Sequence, residues 1–210
     1  MADCCDAKAD SLARLRARQR GVLITVLWIN ATMFVVELGA GIYSGSSALV
    51  ADSLDNLGDA FVYAISLYVI HRSLRWRAGA ALVKGVFQLA FGIGVIVYVA
   101  HRITVGEAPV SSTMVVAASA ALLANLTCFF LLMRHRADDV NMRSVWLCSR
   151  NDIISNAGVI IAAGAVAVTA SHWPDIIVGA IIAAVFLKTA VTVLRDGVAA
   201  WREDGEAPAP

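Results

Sequence analysis

Six runs of about twenty apolar residues leave this chain few folds to choose from. They lie near 21–43, 47–71, 79–101, 112–134, 145–170 and 174–198. Each has the length a helix needs to cross the ~30 Å hydrocarbon core of a bilayer. In lipid every backbone N–H and C=O must find its partner within the segment, so an apolar span of this length is a helix. The breaks between the runs are short and carry Gly, Pro, Ser or charge, as in "SGSS", "TVGEAPVSS" and "SHWPD", the usual punctuation of helices. The expected fold is all-α, a polytopic membrane protein with six transmembrane helices. Residues 1–20 form an N-terminal segment with vicinal cysteines, 21–200 the six-helix membrane domain and 201–210 a short polar tail.

Composition agrees with this reading. Hydrophobic residues make up 59% of the 210 and the mean hydropathy is +0.73, above the roughly half-apolar norm of soluble domains. A net charge of +1 leaves no nucleic-acid footprint. The Arg-rich first twenty residues lack the short apolar core of a cleaved signal peptide. Cys4, Cys5, Cys128 and Cys148 are too irregularly placed for a disulfide framework.

Lys and Arg set the orientation. One side holds Lys8, Arg14, Arg16, Arg18 and Arg20, then Arg72, Arg75 and Arg77, then Arg134, Arg136 and Arg143, then Arg195 and Arg202; the other holds Arg102. The positive-inside rule places both termini in the cytoplasm of a cell-membrane protein.

Against this apolar background the second run, "ALVADSLDNLGDAFVYAISLYV", carries three acids. At 100° per residue Asp52, Asp55, Asn56 and Asp59 fall within an arc of about 100°, and Tyr63 and Ser66 extend the stripe. Intramembrane acids are costly and mark ion or substrate paths. The stripe reads either as the wall of a hydrated crevice or, more specifically, as Asp55 and Asp59 ligating a divalent cation. The fifth run repeats the spacing with Cys148 and Asp152, flanked by Asn151, Ser155 and Asn156. Helical rise puts Asp59 about 18 Å from one boundary and Asp152 about 12 Å from the other, the same level in a ~30 Å core. Oxygen and sulfur donors from Asp55, Asp59, Cys148 and Asp152 would suit tetrahedral Zn²⁺. The plainer alternative for Cys148 is a small buried apolar residue.

These motifs, "SSALVADSLDNLGD", "NDIISNAGVIIAA" and "WPDIIVGAIIAAVFLKTA", resemble the cation diffusion facilitator family over roughly residues 20 to 200. The resemblance implies a metal/proton antiporter, not an enzyme. It would export Zn²⁺, or alternatively Cd²⁺ or Co²⁺, from the cytoplasm, with the metal as cargo and no resident cofactor. It implies a homodimer and assigns the metal ligands to Asp55, Asp59, Cys148 and Asp152. Cysteine stands where the family commonly has histidine, which softens the site toward Zn²⁺, Cd²⁺ or Cu⁺. The cytoplasmic C-terminal domain common in the family has no counterpart in the sequence, so a dimer would be held by membrane helices or lipid.

Metal ligands bind deprotonated, so metal binding expels protons and protonation expels metal. Rocking between inward-open and outward-open states would then couple export to proton entry. Two alternatives use similar equipment: a cation channel with acidic rings and an intramembrane aspartyl protease, whose "YD" and "GxGD" motifs are absent here.

Other residues receive accessory readings. Glu37 and Asp52, at similar depth, form an acidic exit vestibule for the metal or hydrate that end. Cys4 and Cys5 collect cytoplasmic metal or lie idle in a tail, ahead of a helix starting at "DSLARLRARQR". Asp175 caps the N–H groups of its own sixth helix. Cys128 is core, and Arg150 faces away from the polar stripe.

Overall fold

The computed structural model describes the backbone of residues 2–69, 74–136 and 140–206, with side chains for most of 20–67, 82–136 and 149–198. Six helices follow in order: α1 (Ala2–Ser44), α2 (Ser47–Val69), α3 (Leu74–Val105), α4 (Ser111–Met133), α5 (Val140–Thr169) and α6 (Trp173–Glu206). There is no strand among the described residues. The number and order of helices follow the apolar runs. The ends of α2 and α4 follow them as well, but α1 continues unbroken through residues 2–20, with no fresh start at Asp10, and α6 runs into the expected tail as far as Glu206. Apolar length measures the part of a helix in lipid, and a helix does not have to stop where the lipid does.

Five helices, α1, α3, α4, α5 and α6, contain stretches long and apolar enough to cross a membrane by themselves. Helix α2 carries too many acids for that, and its place in the bundle explains how it is tolerated. It packs against α1, α3, α5 and α6 and touches α4. Its acids therefore face protein, where polar groups can be accommodated at membrane depth.

The helices approach closely because their contact faces are small. Ala48, Ala51, Ala117, Ala118, Ala121, Ala162, Ala163 and Ala183 are all buried, while Trp28, Val35, Val116, Leu123, Ile161 and Val168 are turned outward. Lipid tails are as apolar as Leu, so helix association rests on close packing and polar contacts, and small residues permit it. On α1 the buried face reads Leu23, Val26, Asn30, Met33, Glu37, spacings of three and four that define one helical stripe.

A Schellman turn joins α1 to α2. Gly45 has φ +71°, Ser46 N–H donates to the Gly41 carbonyl at 2.9 Å and Gly45 N–H to the Ile42 carbonyl at 3.4 Å. Glycine suits this left-handed position because it has no Cβ to clash.

Candidate metal-transport cavity

Regular helix through 52–63 puts the polar residues of α2 on one side, and α5 brings a second polar face opposite. Between α2, α3, α5 and α6 lies a cavity of about 610 Å³. Its polar wall is made by Asp55 and Asp59 of α2, Gln88 of α3, and Asp152 and Ser155 of α5. Ile181, Ile182, Val185 and Phe186 of α6 form an apolar wall. The site acids thus face apolar side chains across the cavity, a setting that strengthens any electrostatic contact made within it.

Asp59 and Asp152, which helical rise placed at one level, line this one cavity together with Asp55, a turn away on α2. The Asp152 carboxyl lies within hydrogen-bonding reach of Asp59, with Asp55 and Asp52 its next charged neighbours. Tyr63, one turn beyond Asp59, donates its hydroxyl to Asp59 Oδ2 at 2.8 Å and is itself buried. That contact fixes the orientation of one carboxylate oxygen of Asp59. Asn156 donates to the Asp152 carbonyl of its own helix at 2.7 Å, so it serves the backbone rather than the carboxylate.

Among the described residues no three His, Cys, Asp or Glu side chains stand close enough together to hold a metal ion. Cys148 lies outside the described side chains, as do Cys4 and Cys5. Helix α5 runs unbroken through 148 and 152, so the four-residue register between them holds.

Several readings change once the helices are packed. Glu37 and Asp52 do not form a hydrated vestibule. They are 0% and 1% exposed and neither lines the cavity, because α1 and α5 close over them. Asp175 does not serve its own helix. Its Oδ1 accepts from Ser46 Oγ at 2.5 Å and from Ala48 N–H at 3.1 Å, and its Oδ2 from Ser47 N–H at 2.6 Å. It caps α2 from across the bundle, at a point where Gly179 lies so close that a Cβ would meet the Ser47 carbonyl carbon at 2.8 Å. Cys128 is buried in the core beside Asn30, whose Nδ2 approaches its sulfur at 3.8 Å. Arg150 is exposed.

Two contributors were not assigned from sequence. Gln88 sits on an apolar helix with nothing around it to mark it. Tyr63 was visible as part of the α2 stripe, and its i, i+4 spacing from Asp59 could have identified it as that residue's partner.

The comparisons with known proteins bear on the same segment. The cation efflux transmembrane domain matches residues 23–200. Zinc transporter ZitB of Yersinia pestis is 27% identical over 187 residues, covering 83% of this chain and 60% of its own. ZitB of Escherichia coli K12 is 27% identical over 190 residues, covering 84% and 60%. Metal cation efflux system protein CzcD of Cupriavidus metallidurans is 26% identical over 192 residues, covering 82% and 60%. The chain spans about three fifths of the length of these curated relatives. With the family match running from the first helix to the last, this all-α membrane protein belongs to the cation efflux, or cation diffusion facilitator, family.

Proposed function

We propose that the chain exports divalent transition-metal ions from the cytoplasm in exchange for protons, with Zn²⁺ the leading cargo and Cd²⁺ and Co²⁺ also carried. The observation that carries this reading is the convergence of Asp55 and Asp59 from α2 with Asp152 from α5 on one cavity inside a membrane bundle. The names of the relatives, zinc transporter and metal cation efflux protein, support the substrate class.

In this reading Asp55, Asp59, Asp152 and Cys148 are the ligands, and approach of α5 to α2 completes the shell around the ion. Ligand deprotonation couples the two fluxes, since each ion bound displaces protons from the same side chains. Both termini face the cytoplasm, in keeping with the Lys and Arg asymmetry. The protein works as a homodimer held by its membrane helices, and Cys4 and Cys5 gather metal at the inner face.

The test is uptake into proteoliposomes of Zn²⁺, Cd²⁺, Co²⁺ and Mn²⁺ side by side, with and without a proton gradient. Zn²⁺ movement that collapses with the gradient is the expected result. Movement indifferent to the gradient would favour a channel, and cleavage of an intramembrane peptide a protease.

A further inference from the structure

Toward the α1–α2 turn from the cavity lies a second acidic group with its own geometry. Glu37 of α1 and Asp52 and Asn56 of α2 are 0%, 1% and 2% exposed. Asn56 Nδ2 donates to Glu37 Oε2. The Glu37 and Asp52 carboxyls are neighbours, and Ser155 of α5 stands beside Asp52. Ser155 also lines the cavity, so the group adjoins it without opening into it.

Counting donors and acceptors exposes a deficit. Glu37 Oε1, Asp52 Oδ2 and Asn56 Oδ1 are all buried and all without a partner. Each is an acceptor. An unmet buried acceptor costs about 1–3 kcal/mol, and more when charged. The charged neighbours of Glu37 are Asp52 and Asp55, both acids, so the described residues supply no counter-charge. Two carboxyls and an amide oxygen sealed together are satisfied at one stroke by a cation.

We propose that Glu37, Asp52 and Asn56 form a second divalent-cation site, built of oxygen donors alone and separate from the cavity. Resting on the export reading above, it lies on the outward side of Asp55 and receives the ion as it leaves. Oxygen-only donors make it a harder site than one that includes Cys148, so it accepts Mn²⁺ readily.

The experiment measures Zn²⁺ and Mn²⁺ bound per chain by equilibrium dialysis of the purified full chain, with the Mn²⁺ paramagnetic resonance spectrum as a second readout. The background is the double variant Asp59→Ala with Asp152→Ala, which disables the cavity. This background should still bind Mn²⁺, and Glu37→Gln or Asp52→Asn added to it should weaken that binding by about tenfold or more. Asn56→Asp should instead tighten it, a gain that a misfolded variant cannot produce. Should Glu37→Gln fail to fold, Asp52→Asn and Asn56→Asp decide the matter.

The proposal is overturned if the double variant binds no metal, which leaves a carboxyl pair held by a proton alone. It is also overturned if binding ignores all three substitutions. If the double variant binds as many ions as wild type and loses one on Glu37→Gln, the second site stands and the cavity assignment falls.

Discussion

Asp59 has one carboxylate oxygen engaged by the Tyr63 hydroxyl and shares the cavity with Asp55 and Asp152. A direct ligand and the group that orients it should then differ in the size of their effects. Asp59→Ala and Asp152→Ala should each abolish Zn²⁺ transport in protein that still elutes as a folded species. Tyr63→Phe, which removes only the orienting hydroxyl, should weaken Zn²⁺ binding by about 10- to 100-fold, the range seen when an outer-shell partner is lost. Titration of Zn²⁺ into each purified variant checks both. Wild-type transport by Asp59→Ala would remove the cavity from the mechanism. Cys148→His should retain Zn²⁺ transport and lower the preference for Cd²⁺, because imidazole is less soft than thiolate. An unchanged Cd²⁺-to-Zn²⁺ ratio in competitive uptake would return Cys148 to packing.

At the scale of elements, α2 is set in place from outside itself. Its first turn presents N–H groups that the helix cannot satisfy. Asp175 of α6 meets two of them and the Ser46 hydroxyl, and Ser46 Oγ in turn accepts from Leu49 N–H at 3.1 Å. This carboxylate placed at a helix N-terminus also matches the positive end of the dipole. Asp175→Ala should therefore destabilise the bundle by about 2–4 kcal/mol, from the cap and the charge-assisted bonds together. Asp175→Asn should recover part of that, since one amide oxygen can still accept. Unfolding in mixed detergent measures both, and equal stability of Asp175→Ala and wild type would show that α2 does not depend on this cap.

For the whole molecule the packing divides unevenly. Helices α3 and α6 pack extensively on each other, as do α4 and α5, while α5 and α6 meet over a smaller surface. The cavity lies beside that weaker seam, with Gly158 of α5 and Val178 of α6 both on its wall. A Cβ on Gly158 would sit 3.8 Å from Val178 Cγ1. Oxidising Gly158→Cys with Val178→Cys should tie the seam and halt Zn²⁺ transport until reductant is added. The pair Gly92→Cys with Leu187→Cys, within the α3–α6 unit, should leave transport running when oxidised. Oxidised wild type controls for the native cysteines. Transport through a closed α5–α6 bond would mean that the two bodies move along another seam.

Much of this was written in local periodicity. Apolar length specified six helices and their order, because a bilayer admits few other folds for such runs. The 3.6-residue repeat placed Asp55 with Asp59 and Cys148 with Asp152, and helical rise put Asp59 and Asp152 at one depth. Those are properties of a single helix in a slab of known thickness. What lies beside a helix at a given depth is different. Glu37 and Asp52 read as an exit vestibule or as groups that hydrate that end, and only the packing of the helices made them a buried pair. Asp175 sat where it could cap α6, and the close approach allowed by Gly179 delivered it to α2 instead. Gln88 carried no signal at all until α3 was packed against the cavity. Lateral arrangement in lipid is decided by how small residues let helices approach, a fit between distant segments that no stretch of sequence contains alone.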